Sequence, residues 1–185
     1  MAPLMKLAMA GIRTFTSSIA FFYRHPSLIL LSLVPSSLRF YQMWNHLQTP
    51  AWMEVAVLAA RLLLFLLMIA RMLNRPVREF SRKDFWREFG ERCSVQFNRD
   101  WPGVFIAQLA VYIVLLYGLM NLLLQWATRL LLDPVIQLPG LQTEDHIAAH
   151  DALLFFLKNM SNIPLSMVYV LHMAGLRPRP TQNRS

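Results

Sequence analysis

The run WPGVFIAQLAVYIVLLYGLMNLLLQWAT at residues 101–128 contains no charged side chain over its whole length. A helix needs about 20 predominantly apolar residues to cross the hydrocarbon core of a bilayer, and this run exceeds that length. The sequence therefore predicts a membrane-spanning helix at 101–128.

The composition of the rest of the chain also points to a membrane protein. Hydrophobic residues make up 56% of the 185-residue chain and charged residues only 15%, whereas a typical soluble domain has about 25% charged residues. A single soluble core of this size cannot bury so much apolar surface. A soluble enzyme, a disordered protein and a disulfide-stapled secreted domain are therefore excluded, and a single cysteine, Cys93, allows no intramolecular disulfide.

Three more segments, at residues 26–44, 53–73 and 151–176, are long and apolar enough to cross a bilayer. Together with 101–128 they predict an all-α fold, a polytopic membrane helical bundle with four transmembrane helices. The whole chain, 1–185, is expected to form one integral membrane domain.

The distribution of basic residues predicts how the chain is oriented. Lys and Arg are frequent in 1–24, between the second and third spans and in the tail 177–185, and they are absent from 45–52 and 133–150. Cytoplasmic loops carry an excess of Lys and Arg, so both termini are predicted to be cytoplasmic and 133–150 to be an acidic outer loop. The predicted location is a cell inner membrane.

The first 24 residues have the periodicity of an amphipathic helix. Lys6, Arg13 and Arg24 fall on one face, opposite apolar residues that include Ile12 and Phe15. This pattern predicts an interfacial helix on the inner membrane surface. An Arg- and Ser-bearing, acid-poor segment also has the composition of a mitochondrial transit peptide, so the mitochondrial inner membrane is the alternative location.

A second amphipathic helix is predicted on the cytoplasmic side at residues 78–99. Aromatic residues share one of its faces and charged residues occupy much of the other, an arrangement suited to the anionic inner leaflet of the bilayer. Acidic residues are interspersed among the basic ones, which argues against a nucleic-acid-binding surface.

Polar and charged residues inside the predicted spans form the candidate ligand site. Such residues are costly in a bilayer and usually face a bundle interior or a watery cavity. A helical rise of about 1.5 Å per residue places most of them in the outer half of the membrane. Converging faces would form an outward-facing basic vestibule for a small anion or a lipid headgroup. Its predicted lining is Arg39, Arg61, Asn121, Gln125, Arg129, Lys158 and Asn162.

Arg61 is the deepest of these cations, about 12 Å inward of Met53, and is too deep to reach the headgroups cheaply. An alternative interpretation needs no ligand. In it, the other basic side chains extend to the outer headgroups, while Glu54 or Asp151 pairs with Arg61 or Lys158 and leaves a neutral bundle core.

A metal site is a further hypothesis. His146 and His150 stand one helical turn apart and Asp151 follows, a spacing that can hold a divalent metal. No zincin signature accompanies them, because Ile147 rather than Glu follows His146. The surrounding acids are also explained by a helix start, where the macrodipole favours negative charge. These three residues remain candidates, and no cofactor is predicted.

No extramembrane segment is large enough to act alone, so dependence on a partner is expected. The predicted function is a non-catalytic accessory, assembly or binding component of a membrane complex. The expected partners are the lipid bilayer and either another membrane protein or a second copy of this chain, without nucleic acid. The alternative is a channel or transporter for a small anion or lipid headgroup. A membrane enzyme using His146, His150 and Asp151 ranks third.

Overall fold

The computed structural model describes residues 2–45, 50–141 and 143–176, and these residues contain helices and no strand. The α-helices are α1 (Ala2–Tyr23), α2 (Pro26–Trp44), α3 (Ala51–Leu73), α4 (Lys83–Asp100), α5 (Gly103–Val111), α6 (Met120–Ile136), α7 (His146–Leu157) and α8 (Ile163–Met173). A short 3-10 helix, Val77–Ser81, precedes α4. Two π-helical segments, Tyr112–Leu119 and Lys158–Asn162, join α5 to α6 and α7 to α8. The all-α prediction is confirmed.

Three continuous helices are long and apolar enough to cross a membrane, namely Ala51–Leu73, Gly103–Ile136 and His146–Met173. Residues Met5–Tyr23 and Pro26–Trp44 meet the same criterion as a pair, with a bend of 86° between them. The described part of the chain therefore has three candidate membrane spans, or four if the bent pair is counted as one span. Helices of this length and composition are typical of an all-helical membrane protein.

The predicted outer loop at 133–150 is wrong in its extent. Helix α6 continues to Ile136 instead of ending at 128, and α7 begins at His146 instead of 151. The connection is residues 137–145, of which 142 lies outside the described residues. The prediction ended one span and began the next at charged residues. A helix is held by backbone hydrogen bonds, however, and it continues past exposed charges.

The start of α7 has a clear local cause. The Asp145 side chain accepts hydrogen bonds from the backbone N–H groups of Ile147 and Ala148 at 3.0 and 2.9 Å. These bonds satisfy two donors that have no partner within the helix, as an N-cap residue does. The acidic residues before His146 therefore belong to a helix start. This was the alternative to a metal site that the sequence predicted.

The predicted helix at 78–99 is interrupted. Arg82 has an extended backbone, with φ −92° and ψ 130°, and it separates Val77–Ser81 from α4. The Trp86 indole Nε1 donates to Phe80 O at 2.7 Å and holds the short 3-10 helix against α4. The predicted tail 177–185 and residues 46–49 of the loop at 45–52 lie outside the described residues.

The apolar core lies among α1, α2, α3 and α8. Phe22, Leu28, Leu64, Met68 and Tyr169 are each at most 1% exposed. Helix α2 packs against α7 and α3, and α1 packs against α5 and α8. Helix α8, the last described helix, is thereby brought next to α1.

Helix α1 approaches α5 closely through a glycine. A Cβ atom on Gly11 would lie only 2.6 Å from Val111 Cγ2, so no larger residue fits without movement of α1 or α5. The buried face of α1 includes the polar residues Thr14 and Ser18 as well as Phe22. Ile12, predicted on the apolar face, is 43% exposed. The helix therefore contacts the bundle through small and polar side chains as well as through apolar ones.

Cys93, on the side of α4 that packs against the core, supplies a test of this packing. Its burial raises the pKa of the thiol above the ordinary value, because the thiolate form is charged. We expect iodoacetamide at pH 8 to alkylate Cys93 several-fold more slowly than a cysteine placed at the exposed Ser94 in a Cys93→Ser, Ser94→Cys variant. The rate for Cys93 should also rise over a higher pH range. Equal rates and pH profiles at the two positions would contradict the packing of α4.

Candidate functional site

The structure gathers part of the predicted vestibule between α2 and α3. Arg39 Nη1 donates to Gln42 Oε1 at 2.6 Å and to Glu54 Oε1 at 2.7 Å, and Arg39 Nη2 donates to Glu54 Oε2. Glu54 therefore forms its ion pair with Arg39, whereas the sequence had offered it as a partner for Arg61 or Lys158. This bidentate pair links α2 to α3 near the start of α3.

Arg61 is held by an amide. Its Nη2 donates to Asn159 Oδ1 at 2.6 Å, and Asn159 Nδ2 donates to Phe155 O at 2.8 Å. Arg61 Nε and Asn162 Oδ1 are buried and have no hydrogen-bond partner in the described part of the chain. Because no carboxylate lies within ion-pair distance of Arg61 among those residues, its positive charge is not neutralised by a direct pair.

The remaining vestibule residues do not join this arrangement. Lys158 Nζ lies 5.9 Å from the centre of the Phe155 ring. Asn121 Nδ2 donates to Tyr117 O of its own helix at 2.6 Å. Gln125 and Arg129 are exposed, and neither makes a hydrogen bond or ion pair with any residue that the structure describes.

Gly118, Asn121, Gln125 and Arg129 share one face of the helix and form what we call the α6 ridge. This ridge belongs to the helix Gly103–Ile136, the least buried of the three continuous candidate spans. In an apolar stretch of 18 residues within each helix, 11% of the residues are buried in Gly103–Ile136, against 33% in Ala51–Leu73 and 39% in His146–Met173. A Cβ atom on Gly118 would meet Ile113 O of the same helix at 3.5 Å and, within the described chain, nothing of another helix within 4 Å. The ridge is therefore open to a neighbour.

A separate cavity of about 540 Å³, the α1–α5 cleft, lies where α1, α5, α8 and the end of α4 meet. Its lining includes Arg13, Thr14, Ser17, Arg99, Gln108 and His172. None of these residues was among the site residues predicted from the sequence.

The inner wall of the cleft is a hydrogen-bonded network between α1 and α5. Gln108 Nε2 donates to Thr14 Oγ1 at 3.1 Å, and Thr14 Oγ1 donates to Ala10 O at 3.0 Å. Gln108 is 2% exposed, and its Oε1 is buried without a hydrogen-bond partner in the described chain. An unpaired buried acceptor is unfavourable, by about 1–3 kcal/mol.

Helix α8 contributes His172 to the lining of the cleft, and two of its polar side chains bond to α1 and α5. Ser18 Oγ donates to Thr14 O at 2.7 Å and lies 2.9 Å from His172 Nδ1. The single Ser18 hydroxyl proton is used on Thr14 O, so His172 Nδ1 is the donor in the second contact. Tyr169 OH donates to Gln108 O at 2.7 Å. These bonds join α1, α5 and α8 at the back of the cleft.

The mouth of the cleft carries a net positive charge. Arg13 is exposed and makes no hydrogen bond or ion pair through its side chain with the described residues. Arg99 Nε donates to Asp100 Oδ1 at 3.1 Å and Arg99 Nη2 donates to Gln96 Oε1 at 2.8 Å. Asp100 is 8% exposed. The lining of the cleft thus includes two guanidinium groups and one carboxylate.

The candidate metal ligands remain near one another without forming a site. His150 Nδ1 lies 3.2 Å from Asp151 Oδ1, and His146 is exposed in the first turn of α7. Within residues 2–45, 50–141 and 143–176, no group of three or more His, Cys, Asp or Glu side chains is placed to hold a metal ion.

Sequence reasoning missed the cleft because its residues come from four separate helices. One signal was available: Gln108 is a polar residue within the otherwise apolar start of the run at 101–128. Thr14 and Ser18 are four residues apart and therefore share one face of α1. Nothing in the sequence connects these two positions with His172.

Neither a protein-family model nor a curated protein nor a solved structure matches this chain at a significant level. The features of the described chain that bear on its function are the α6 ridge, the Arg61 contacts and the α1–α5 cleft.

Proposed function

We propose that this protein is a non-catalytic binding component of a membrane complex, and that it joins the complex through the α6 ridge. The observation that supports the proposal is the exposure of Gln125 and Arg129 on the least buried of the candidate spans. A glutamine side chain within a membrane span is costly and normally finds a partner. A neighbouring helix would supply the partners that the described chain does not.

The chemistry of the ridge favours a transmembrane helix as the neighbour. Gly118 leaves room for a close approach of two backbones, as small residues do in membrane helix pairs. The Gln125 amide both donates and accepts hydrogen bonds, and Arg129 offers donors only. The matching helix would therefore carry an amide at the depth of Gln125 and a carboxylate at the depth of Arg129.

A helix of a different protein fits this ridge better than a second copy of the chain. Two copies inserted in the same orientation meet through a two-fold axis parallel to the membrane normal, which gives each ridge residue its own counterpart as neighbour. The two Arg129 side chains would then face each other, and like charges repel. We therefore expect a partner of different sequence.

Photocrosslinking in native membranes tests this proposal. A benzophenone amino acid replaces Gln125 in one variant, and in the control it replaces Leu123, which is 47% exposed on another face of the same helix. We expect the Gln125 variant alone to crosslink to one membrane protein, through a peptide of a transmembrane helix, and the yield to fall when Arg129→Leu is added. Purified Arg129→Leu should keep its stability to within about 0.5 kcal/mol, because an exposed side chain without partners contributes little.

Two results would overturn the proposal. Crosslinking to lipid alone at both positions would show that the ridge has no protein neighbour. Crosslinking of Gln125 to a second copy of the chain would replace the different partner with a homodimer.

A second candidate function, passage of a small anion, is favoured by one observation. Arg61 lies inside a candidate span, and among the described residues its Nε is buried without a partner and its Nη2 bonds only to the Asn159 amide. Buried charges that lack a counterion mark ion pathways in many membrane proteins.

A further inference from the structure

The α1–α5 cleft is independent of the α6 ridge and has the properties of a binding site. Its volume of about 540 Å³ falls within the range of about 300–1,000 Å³ that is usual for pockets that hold small ligands. Its wall is both polar and buried, since Thr14, Asp100, Gln108 and His172 are 5%, 8%, 2% and 3% exposed. A polar wall of this kind binds a hydrophilic group rather than an apolar chain.

The free donors at the mouth of the cleft indicate an anion. Arg13 has no side-chain partner among the described residues, and Arg99 uses its Nε and Nη2 within α4, which leaves its Nη1 without a recorded partner there. A guanidinium group binds a phosphate or carboxylate through two parallel hydrogen bonds. The Ser17 hydroxyl, in the same lining, adds a further donor.

The wall also has an acceptor that needs a donor. Gln108 Oε1 is buried and has no hydrogen-bond partner among the described residues, and a buried acceptor of this kind is commonly satisfied by an ordered water.

The position of the cleft along the candidate spans indicates which kind of anion it can bind. Helix α5 is the beginning of the candidate span Gly103–Ile136, and α8 is the end of the candidate span His146–Met173. These are the ends at which the two candidate spans would leave a bilayer, and Gln108 lies only about 8 Å along the helix from Gly103. Phospholipid headgroups occupy this depth, and basic pockets between transmembrane helices bind anionic ones.

We propose that the α1–α5 cleft binds the phosphodiester headgroup of an anionic phospholipid, with Arg13 and Arg99 on the phosphate. This site would hold a specific lipid against α1 and the ends of two candidate spans.

Lipid titration of the purified full-length protein tests the site. Delipidated protein in a neutral detergent is mixed with phosphatidylglycerol, phosphatidylcholine or inorganic phosphate, and bound lipid is measured by native mass spectrometry. The test variant is Arg13→Gln, since the Arg13 side chain makes no hydrogen bond or ion pair with the described residues. The matched control is Arg78→Gln, which removes the same charge from an exposed position outside the cleft.

We expect one phosphatidylglycerol per chain, bound in preference to phosphatidylcholine. Arg13→Gln should weaken the affinity about tenfold, equivalent to about 1.4 kcal/mol, and Arg78→Gln should change it by less than about twofold, as expected for an exposed charge. Unchanged melting of lipid-free Arg13→Gln confirms that it folds.

Three outcomes would overturn the proposal. Equal weakening by Arg78→Gln would show general attraction to a basic protein, and equal binding of phosphatidylcholine would show that the charge is not recognised. Displacement of the lipid by millimolar inorganic phosphate would assign the cleft to a soluble phosphate ligand.

Discussion

Gly11→Leu is expected to lower the free energy of unfolding by about 2 kcal/mol. A leucine at this position overlaps Val111, whose Cγ2 would lie 2.6 Å from the new Cβ, and overpacking of this kind costs about 1–3 kcal/mol or more. The better helix propensity of leucine offsets up to about 1 kcal/mol of that cost. Unfolding of the purified protein by a graded addition of denaturing detergent, followed by circular dichroism, measures the difference.

Gly90→Leu is the matched control for this prediction. Gly90 lies within α4, and no atom outside its local helix approaches its missing Cβ within 4 Å in the described chain. The same substitution there should be neutral or stabilising, by up to about 1 kcal/mol, because only helix propensity changes. If both variants behaved alike, α1 would not be packed against α5.

Asn159→Leu has the second large effect. We expect a loss of about 1.5–3 kcal/mol in unfolding free energy, the usual range for a hydrogen bond to a charged group. Asn159 is 2% exposed and supplies the acceptor for Arg61 Nη2. Arg61 Nε already lacks a partner, so this variant leaves the guanidinium without a recorded acceptor in the described chain. The same detergent titration measures the loss.

A double variant distinguishes the loss of the Arg61–Asn159 hydrogen bond from the effect of a different side-chain shape at position 159. Arg61→Met combined with Asn159→Leu removes both polar groups and should recover most of the stability, because an apolar pair avoids the unpaired charge. The control is Asn121→Leu, since the Asn121 side chain bonds only to Tyr117 O of its own helix. A loss from Asn159→Leu no larger than that from Asn121→Leu would contradict the Arg61 contact.

The same variants also test the second candidate function, which is passage of a small anion past Arg61. A double variant at least as stable as the wild type would show that Arg61 is not needed for folding. If protein in liposomes also carries a labelled anion, and Arg61→Met abolishes the flux without unfolding the protein, Arg61 acts on the anion. Equal flux in the two proteins would exclude that role.

The positions of the helices were predicted accurately where the hydropathy of the sequence alone decides them. The segments 26–44 and 53–73 are helical, as α2 (Pro26–Trp44) and α3 (Ala51–Leu73). Ala51–Leu73 is a candidate span by itself, whereas Pro26–Trp44 qualifies only together with the preceding helix, from which it is bent by 86°. The errors lie at 128 and 151, because a charged residue was taken as the boundary of each predicted span. Backbone hydrogen bonds and the Asp145 cap decide those ends, and hydropathy does not report either.

The candidate site was predicted less well, because it depends on pairs of helices. Helical spacing correctly put Gln125 and Arg129 on one face, but it could not show that this face is exposed. It likewise could not show that Glu54 pairs with Arg39, or that Asn159 rather than a carboxylate binds Arg61. Each of these facts depends on how one helix is rotated against another.

The sequence by itself determined that the protein is helical and has segments long and apolar enough to cross a membrane, because the length of an apolar run can be compared directly with the thickness of a bilayer. Only the tertiary structure decided which polar residues meet. Gln108 and Thr14 are 94 residues apart in the chain, and Arg61 and Asn159 are 98 apart. Such contacts arise from the packing of whole helices, as at Gly11 and Val111, and local sequence does not encode that packing residue by residue.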